Sequence, residues 1–417
     1  MKVLHVNRSD VQGGAARAVY RIHEALNNYK IESNMLVCNS TSGDRSVKCL
    51  NGKFERFSLF MRQRVARVLV KCLKTENRTV HSPAVLPSGN VTKINETDAD
   101  LLNLHWVGGE MLSIGDIGRL RKPVVWTLHD MWGFCGAEHV TFDERWRHGY
   151  SRTNRPSYER GLDLNRLTWL RKRYSWRKPV NIITPSGWLR DCVLESALMR
   201  EWPVNVIPNC LDTQRWRPIE KDFARDLLGL PRDVPLIMFV VYEGRSGYNK
   251  GTDLLLGALD HLRSDKSDIE LVALGDTKNE RFDNLGFTMH GIGRLHDDLS
   301  LSCAYSACDA LVVPSRCEAF CQIAVEAQAC GTPVAAFDVG GLRDIINHKK
   351  TGYLAKAFDT VDLAEAVNWV SRNDLRKSSR ERAVEKFSYE VVAAQYANEY
   401  RRILKHHGDA SVIDQYT

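Results

Sequence analysis

No run of apolar residues in this chain approaches the length that crosses a membrane. A membrane-spanning helix needs roughly 18 or more consecutive apolar residues, and the sequence contains no stretch near that length. The opening residues, MKVLHVNRSD, hold too short an apolar run for a signal peptide. We therefore expect neither a membrane-spanning helix nor a cleaved leader.

Cysteine is present, but it lacks the spacing of a metal site or of a disulfide framework. The eleven cysteines are scattered and odd in number, and no two of them form a CxxC pair. Cys317 and Cys321 lie four residues apart, with no second pair to accompany them. This usage favours buried thiols in a reduced cytosolic setting. Asp98 and Asp100 resemble a metal-binding DxD sequence, which we interpret as flanking a strand.

Positive charge is concentrated in the first half of the chain. The net charge is +7, yet residues 145–178 hold 11 Lys and Arg against 2 acids, and residues 53–78 hold 8 against 2. We expect any anionic partner to face this half. Residues 131–178 form a long stretch that we predict to be irregular. Its interleaved aromatic and basic residues fit nucleic acid and a pyrophosphate-linked lipid equally well.

Residues 53–78 have the spacing of apolar side chains that is typical of an amphipathic helix. Phe57, Met61, Val65 and Val68 follow that spacing beside a cationic face. A basic amphipathic helix can lie on an anionic membrane surface. It can equally pack on its own sheet with a solvated charged face, and both alternatives stay open.

The length of the chain and its alternating pattern indicate two α/β domains. A chain of 417 residues exceeds one domain of typical size, and strand-like and helix-like segments alternate along it, which predicts parallel sheets. The predicted strands are residues 2–7, 31–37, 101–106, 123–129, 181–185, 204–208, 235–241, 270–274, 287–291, 310–313 and 334–337. Residues 209–218 are polar and turn-rich, so we place a linker there. We expect domains at 1–210 and 211–388, and a C-terminal helix at 389–417 that returns to the first domain.

Residues 311–341 carry the most informative pattern of polar residues. A strand, a polar loop, a helix at 322–330 and another strand follow one another. Glu318 lies in the loop before the helix, and Glu326 lies eight residues later within it. Since the free N–H groups at a helix N terminus can hold a phosphate, we expect a sugar–nucleotide here with its diphosphate at the helix end.

Polar residues also follow the predicted strands of the first half, where doubly wound folds bind their ligands. Gly13 and Gly14 follow the first strand and permit close approach of a ligand to the backbone. His105 and His129 lie near the ends of two later strands, with Asp130 beside His129. We expect the two histidines, above all His129, to lie close to a ligand.

In this order of elements the chain resembles the GT-B glycosyltransferases, most closely the retaining family 4, or group 1, type. The resemblance covers almost the whole chain. It rests on the segments PSRCEAFCQIAVEAQACGTPVAAFDVGG, EGRSGYNKG, NLHW, WTLHDMWGF, NRSDVQGGAARA and VIPNCLDTQRW. It implies a GT-B fold, in which two Rossmann-like, doubly wound domains face each other across a cleft.

The resemblance also implies an activity. It implies a retaining, metal-independent hexosyltransferase that needs no cofactor and moves a sugar from a nucleotide-diphosphate sugar to a glycan acceptor. The acceptor would be linked to a polyprenyl diphosphate, in the biosynthesis of a bacterial surface polysaccharide such as O-antigen or capsule. The location implied is cytoplasmic, with peripheral contact to the inner membrane, and no nucleic-acid partner is expected.

Position by position, the resemblance assigns roles to fourteen residues. The catalytic residues would be Glu318, His129, Lys250 and Arg245. The donor-binding residues would be Glu326, Phe320, Cys321, Gln322, Gly13, Gly14 and Gly275. The acceptor-binding residues would be His105, Asp130 and Trp132. Lys250 and Arg245 would neutralise the departing diphosphate, and backbone N–H groups at 320–322 would bind it.

Other functions stay open at the level of the sequence. A GT-B-fold sugar–nucleotide epimerase or phosphorylase would keep the fold and change the reaction. A non-enzymatic basic protein that docks nucleic acid or membrane through residues 145–178 would account for the charge. It would not account for the paired glutamates or for the Lys250–Gly251 loop.

Overall fold

Strands and helices alternate to form two parallel sheets, one in each of two units of the chain. The computed structural model describes residues 1–50, 52–241, 246–265, 267–275 and 286–413, with the backbone alone described at 246, 247 and 408–413. Unit 1 comprises Met1–Asn209 with Val392–Thr417, and unit 2 comprises Cys210–Val391. The doubly wound α/β class expected from the sequence is confirmed, since every neighbouring pair within both main sheets is parallel.

Unit 1 is built on a seven-stranded sheet in the order β3-β2-β1-β5-β6-β8-β9. Its elements are β1 (Lys2–Val6), α1 (Gly14–Asn28), β2 (Glu32–Val37), β3 (Val47–Cys49), α2 (Lys53–Cys72), β4 (Leu73–Lys74), α3 (Val91–Asn95), β5 (Leu101–Leu104), α4 (Ile114–Ile117), β6 (Val124–Thr127), α5 (Arg145–His148), β7 (Arg160–Gly161), α6 (Leu164–Ser175), β8 (Asn181–Thr184), α7 (Gly187–Glu195) and β9 (Val204–Val206). The short strands β4 and β7 pair antiparallel with each other.

Unit 2 is built on a six-stranded sheet in the order β12-β11-β10-β13-β14-β15. Its elements are α8 (Lys221–Leu228), β10 (Leu236–Val240), α9 (Ser246–Asn249), α10 (Thr252–Ser264), β11 (Glu270–Leu274), β12 (Met289–Gly293), α11 (Asp298–Ala307), β13 (Ala310–Val313), α12 (Gln322–Ala329), β14 (Val334–Phe337), α13 (Leu342–Ile345), β15 (Gly352–Ala355), α14 (Thr360–Ser371) and α15 (Arg376–Phe387). The last helix, α16 (Tyr389–Ile413), begins in unit 2 and continues into unit 1.

Apolar spacing explains how the helices attach to these sheets. The face of α1 that carries Ala18, Val19, Ile22 and Leu26 is at most 1% exposed, as the sequence predicted. Helix α16 adds a polar anchor to unit 1, because Asn103 Nδ2 on β5 donates to the Tyr400 hydroxyl at 2.7 Å within the core. Burial of such a pair favours one register of the helix against the sheet, because both polar groups must find a partner.

Each sheet has a point where the order of its strands reverses. In unit 1 the chain moves outward from β1 to β2 and β3 and then returns to β5 on the other side of β1. In unit 2 it moves from β10 to β11 and β12 and returns to β13. At such a reversal the loops leaving the two central strands diverge, and doubly wound folds bind ligands there. The candidate residues are therefore expected near the carboxyl ends of these strands.

The face that helix α2 presents to the rest of unit 1 differs from the sequence-based expectation. Arg62 is buried and donates to the carbonyl oxygens of Glu110 at 2.6 Å and Met111 at 3.0 Å. Because these bonds turn the arginine inward, the apolar residues on the opposite side face solvent. Phe54, Phe57, Phe60, Met61 and Val68 are between 44% and 75% exposed. The packing alternative therefore does not hold for these five residues, whereas Leu69 near the C terminus of α2 packs against a buried apolar cluster.

The basic stretch at 145–178 is folded rather than irregular, and part of its charge is internal. The Arg145 guanidinium is buried and pairs with Glu159 at 3.1 Å and Asp163 at 2.9 Å. The Lys172 ammonium is buried and donates to the carbonyl oxygens of Cys135 at 3.0 Å and Gly136 at 2.7 Å. Burial lowers the pKa of Lys172 to about 7. These enclosed charges cannot meet a polyanion, which weakens the nucleic-acid alternative.

Helices α6 and α8 and strand β15 are the longer elements that the sequence analysis did not predict, and several shorter ones, such as β3 and α13, were missed as well. Helix α6 lies inside the stretch predicted to be irregular, where its charged residues hide the apolar period.

No helix in the described ranges is both long enough and apolar enough to cross a bilayer. None of the eleven cysteines forms a disulfide bond.

Candidate functional site

The polar cluster of unit 2 lies after the central strands β10 and β13. Lys250 follows α9 in the connection that leaves β10, and Glu318 lies in the loop between β13 and α12. Because β10 and β13 are parallel neighbours, with Ile237 opposite Ala310, their following loops emerge at the same edge of the sheet. Two residues that are 68 positions apart in the sequence are thereby brought into contact.

The centre of this cluster is an ion pair between Lys250 and Glu318. Lys250 Nζ lies 2.7 Å from Glu318 Oε1, and the Ser315 hydroxyl donates to the same oxygen at 2.8 Å. The Glu318 side chain is 9% exposed and that of Lys250 is 28% exposed. The family resemblance implied a catalytic role for both residues, whereas the direct contact between them and the contribution of Ser315 come from the structure.

Two glycines allow the backbone to approach this ion pair closely. Gly251 has φ +68° and Gly340 has φ +54°. A Cβ atom at Gly251 would overlap the carbonyl oxygen of Pro314, and one at Gly340 would overlap that of Glu318. Gly341 N also donates to Glu318 O at 2.7 Å. The position of Glu318 therefore depends on the glycine turn after β14 as well as on its own loop.

A second link between the two loops was missed by the sequence analysis. The Arg316 guanidinium bonds to the carbonyl oxygen of Tyr248 and to the Asp253 carboxylate, with Nη1 at 2.8 Å from each. The backbone N–H of Arg316 donates to Asn249 O at 2.8 Å. Arg316 thus ties the loop that carries Lys250 to the loop that carries Glu318. Its place two residues before Glu318 was the available signal. Arg245, the other predicted cation, lies outside the described residues.

The N terminus of helix α12 is capped by no side chain. Cys321 occupies the N-cap position in an extended conformation, and the first turn contains no acidic residue. Phe320 packs edge-on against Phe387 with ring centroids 5.7 Å apart. Burial raises the pKa of Cys321, so this thiol is neutral at neutral pH. The first turn of α12 thus holds no anionic side chain that would compete with a diphosphate, and binding of that group by the backbone at 320–322 stays a prediction.

Glu326 and Gly275, the other donor-binding candidates of unit 2, are held by buried neighbours. Glu326 is 3% exposed, and its Oε2 accepts a hydrogen bond from the Tyr305 hydroxyl at 3.2 Å. Gly275 follows β11 with φ +121°, where a Cβ atom would lie 2.8 Å from the Val241 carbonyl oxygen. Gly275 therefore lets the ends of β10 and β11 lie close together.

In unit 1 the glycine loop after β1 leads into helix α1. Gly13 is the N-cap residue with φ +99°, and no side chain caps the helix. A Cβ atom at either Gly13 or Gly14 would meet nothing within 4 Å, so both positions face open space. Asp10, which the sequence analysis did not select, anchors this loop by accepting hydrogen bonds from the backbone N–H groups of Thr41 at 2.7 Å and Ser42 at 2.8 Å.

His105 and His129 lie in one row of hydrogen-bonded imidazoles. His105 Nδ1 and His129 Nε2 are 3.1 Å apart, and His105 Nε2 is 2.8 Å from Nδ1 of His5, a residue of β1. His105 is 2% exposed, whereas His129 is partly exposed. His129 therefore has surface available for a ligand. His105 lies behind it, and its predicted contact with an acceptor is not favoured by this burial.

Asp130 and Trp132 take part in a network that holds the chain after β6. The Asp130 carboxylate accepts hydrogen bonds from Trp106 Nε1 at 2.8 Å, His139 Nδ1 at 2.6 Å and Trp132 N at 2.9 Å. Burial alone would raise the pKa of Asp130, but the interaction with His139 and these hydrogen bonds outweigh it and lower the pKa. Trp132 is 3% exposed and donates to Ser82 O at 2.9 Å, which leaves little ring surface for an acceptor.

The predicted residues thus form two clusters, each within one unit. Glu318, Lys250 and the N terminus of α12 gather at the carboxyl edge of the unit 2 sheet. Gly13, Gly14 and His129 follow strands of the unit 1 sheet. Within the described residues, no three His, Cys, Asp or Glu side chains gather in a way that could hold a metal ion. Asp98, part of the DxD sequence, pairs instead with Lys2 at 2.7 Å.

Two family models match the chain. The model described as Glycosyltransferase Family 4 matches residues 12–215, and the model described as Glycosyl transferases group 1 matches residues 233–387. The first match falls in unit 1 apart from its last residues, and the second falls in unit 2. The matches thus include both polar clusters.

Curated relatives match about half of the chain. The chain is 31% identical over 222 residues to a D-inositol 3-phosphate glycosyltransferase of Xylanimonas cellulosilytica, which covers 48% of this chain and 52% of that protein. It is 28% identical over 241 residues to a lipopolysaccharide 1,2-N-acetylglucosaminetransferase of Salmonella typhimurium, which covers 53% of this chain and 61% of that protein. The matched region thus spans between about half and three fifths of these relatives' own length.

Solved structures match along nearly the whole chain. Sucrose-phosphate synthase from Thermosynechococcus elongatus aligns with a TM-score of 0.66 at 18% identity, over 97% of this chain and 100% of that chain. Anabaena HepE in complex with UDP and glucose aligns with a TM-score of 0.66 at 18% identity, over 96% of this chain and 100% of that chain. These alignments confirm the GT-B fold expected from the sequence.

The close approach at Gly340 predicts a large effect of a single methyl group. Gly340→Ala places a side chain in the left-handed region, which costs about 1–3 kcal/mol, and adds the overlap with Glu318 O. We expect urea denaturation to show a loss of unfolding free energy above that strain alone. Gly229→Ala is the matched control, because Gly229 has φ +64° and a Cβ atom there would meet nothing within 4 Å. Equal losses in the two variants would contradict a steric role for Gly340.

Proposed function

The chain belongs to the GT-B glycosyltransferases with a family 4 and a group 1 domain, and from that membership we propose that it moves a sugar from a nucleotide-diphosphate sugar to a glycan acceptor. The observation that carries the proposal is the Lys250–Glu318 ion pair. Glu318 lies in the loop that leads directly into the N terminus of α12. A cation and backbone N–H groups suit a diphosphate, and a carboxylate suits sugar hydroxyls. The Anabaena structure, which holds UDP and glucose, supports this class of donor.

The proposed reaction exchanges one bond at the anomeric carbon for another. The bond from that carbon to the diphosphate oxygen breaks, and the diphosphate leaves with the electron pair. A bond forms from the acceptor hydroxyl oxygen to the same carbon, and the hydroxyl proton passes to the leaving phosphate. The sugar passes through an oxocarbenium-like state, so the main demand on the protein is to stabilise the departing anion.

Lys250 and the α12 N terminus would meet that demand without a metal ion. The ammonium supplies a full positive charge, and the N terminus of a helix supplies about half a charge together with free N–H groups. The first turn of α12 contains no acidic residue to oppose an anion. Arg245 stays a predicted second cation.

The ion pair itself provides a way to couple diphosphate binding to sugar binding. A diphosphate beside Lys250 competes with Glu318 for the ammonium. Glu318 Oε1 would then rely on the Ser315 hydroxyl and on sugar hydroxyls as donors. We propose that Glu318 holds the donor sugar, that Glu326 binds the ribose, and that attack comes from the face that the phosphate leaves, which retains the anomeric configuration. In unit 1, His129 would contact a sugar hydroxyl, and the Gly13–Gly14 backbone would approach a phosphate.

The surface of helix α2 supports a lipid-linked acceptor. Its outward stripe is apolar toward the N terminus, at Phe54, Phe57 and Met61, and basic toward the C terminus, where Arg64 and Lys71 are exposed. An apolar stripe beside basic residues fits the boundary of a bilayer with anionic headgroups, because rings enter the acyl region while the cations stay with the phosphates. We propose that α2 rests on an anionic membrane.

The acceptor would then be a glycan on a lipid diphosphate, reached from the membrane surface. The lipopolysaccharide N-acetylglucosaminetransferase among the relatives supports a role in a bacterial surface polysaccharide. The inositol phosphate glycosyltransferases among them act, by name, on a small phosphorylated acceptor. The exposed apolar side chains of α2 favour the lipid-linked choice, since a small dissolved acceptor would give no reason for five such side chains on one helix.

Removal of either partner of the ion pair should abolish transfer. We expect Lys250→Ala and Glu318→Ala to lower kcat by roughly 100-fold or more, because each loses a charge that acts at the reacting centre. Nucleotide release from a panel of nucleotide-diphosphate sugars is the measurement. Lys221→Ala is the matched control, because Lys221 pairs with Asp309 in the same unit, away from Glu318. A folded Glu318→Ala protein with near-normal turnover would refute the assignment.

Donor binding should be visible as thermal stabilisation of the full chain. A ligand at one hundred times its Kd stabilises a folded protein by about 2.7 kcal/mol, which raises Tm by roughly 5–10 °C for a unit of this size. We expect one nucleotide-diphosphate sugar of a panel to produce such a shift. The shift should shrink in Glu326→Ala, which loses the ribose contact, and persist in the Lys221→Ala control. No shift with any member of the panel would count against a sugar–nucleotide donor.

Membrane contact through α2 predicts a dependence on both its rings and its charges. The double variant Phe54→Ser, Phe57→Ser should bind phosphatidylglycerol vesicles with an affinity that is lower by roughly tenfold or more in a co-sedimentation assay, because two exposed rings lose a bilayer contact. Charge reversal at Arg64, Arg67 and Lys71 should weaken it as well, and more so at low salt.

The matched control for the ring variant lies on α8, where Phe223 is 59% exposed and Leu227 is 66% exposed. Their replacement by serine should leave vesicle binding unchanged. Phosphatidylcholine vesicles provide the charge control. If the α2 variants bind anionic vesicles as the original chain does, α2 is not the membrane surface.

A further inference from the structure

Three histidines form a row across three neighbouring strands of unit 1. His5 belongs to β1, His105 follows β5, and His129 follows β6. The ring centroids of His5 and His105 are 5.1 Å apart with planes at 28°, and those of His105 and His129 are 5.3 Å apart with planes at 29°. The row crosses the sheet at the reversal between β1 and β5, where ligands of doubly wound folds bind. Only His129, the last member, is partly exposed.

Both neighbouring strands hold the backbone of the middle histidine. His105 N donates to Val6 O at 3.0 Å, and the Trp126 indole donates to His105 O at 3.1 Å. Because Val6 and Trp126 belong to the two strands on either side of β5, the backbone of His105 is held from both sides. The sheet therefore sets the backbone position from which the middle ring contacts the other two rings.

All three rings are neutral at neutral pH. Burial lowers the pKa of His5 and His105 well below its usual range, and it lowers the pKa of His129 to about 4, even though Asp130 acts in the opposite direction. A neutral imidazole carries one N–H donor and one bare nitrogen. In a row of three, every contact needs one donor and one acceptor, so the protons can point in only two ways. They all point toward His129, or they all point toward His5.

The buried end of the row distinguishes these two arrangements. His5 Nε2 is buried and has no hydrogen-bond partner. Either arrangement leaves this nitrogen without a partner. If the protons point toward His5, it carries an enclosed N–H, and an enclosed donor without an acceptor is rarer in folded proteins than an under-satisfied acceptor. If they point toward His129, the same nitrogen is bare, and the last N–H is Nδ1–H of His129. That atom bonds to no other group in the described chain, so it is available to a ligand.

We propose that this row is a directional relay that holds His129 as its Nδ1–H tautomer, a hydrogen-bond donor toward an oxygen of the bound sugar. His105 is the positioning residue, and the apolar end at His5 sets the direction. The identification of the ligand oxygen rests on the proposed function, whereas the tautomer does not. The relay assigns His129 to binding and orientation, and it leaves the acceptor proton to the leaving phosphate.

The tautomers can be measured without any substrate. The full chain is labelled with 15N-histidine, and long-range proton–nitrogen correlation spectra at neutral pH separate protonated from bare ring nitrogens. We expect the protonated form at Nδ1 and the bare form at Nε2 in all three rings, opposite to the preference of free histidine for Nε2–H. A protonated Nε2 in His129 overturns the relay. Because the spectra need no donor, this outcome is independent of whether the chain transfers sugars.

Two variants test the coupling and the origin of its direction. His105→Phe removes the middle ring, so the Nδ1–H population of His129 should fall. An unchanged population overturns the coupling. His5→Phe shortens the row, but the buried end still offers no hydrogen-bond acceptor, so His129 should remain Nδ1–H. A switch of His129 to Nε2–H would show that this end does not set the direction of the protons. The original chain keeps the proposal testable if a variant does not fold.

The matched control is His23→Phe. His23 is buried beside His5, with ring centroids 6.2 Å apart, but it bonds to Ser33 and Ser46 outside the row. Its replacement perturbs the same core without a break in the relay, so the three tautomers should stay as they are. A change at His129 in this variant, equal to that in His105→Phe, would show that any core disturbance moves the tautomer and would overturn the proposal.

Discussion

The parallel pairing of β10 with β13, and of β1 with β5, is the constraint on which both polar clusters depend. In each sheet the chain runs outward on one side of its first strand and then returns to pair on the other side. Met238 opposes Leu311 in one pair, and His5 opposes Asn103 in the other. Because all strands point the same way, the residues that follow them emerge at one edge. Glu318 can therefore meet Lys250, and His5 near the end of β1 can meet His105, across long separations in the sequence.

Close contact within these clusters needs small residues and internal hydrogen bonds as well as strand order. Gly251 and Gly340 admit neighbouring carbonyl oxygens that any side chain would displace. Arg316 then joins the two loops through Asp253 and Tyr248. In unit 1 the close contacts within the cluster are made by hydrogen-bonded imidazoles rather than by glycines. The two clusters thus reach fixed positions by different means, an ion pair between loops in unit 2 and a neutral hydrogen-bonded row in unit 1.

Prediction from the sequence was most successful where a local pattern has one physical interpretation. The strands and the helix of residues 311–341, the inward face of α1 and the position of Glu318 before α12 follow from spacing alone. It failed where charge and burial coincide. Arg62 and Lys172 are enclosed because backbone carbonyl oxygens surround them, and no spacing rule shows that such partners exist. With Arg62 inward, most of the apolar side chains of α2 face solvent, and the packing alternative does not hold for them.

The sequence by itself determined the two-domain α/β class, the family resemblance and the identity of the chemical groups: paired glutamates, a Lys–Gly loop and histidines after strands. Only the tertiary structure decided which of these groups touch. In the structure Lys250 contacts Glu318, His105 lies behind His129, and Trp132 is buried. Ser315, Arg316 and His5 belong to the two clusters although they were not among the residues predicted from the sequence. The physical reason is that strand order and burial are set by contacts between distant parts of the chain, whereas sequence patterns report on neighbours.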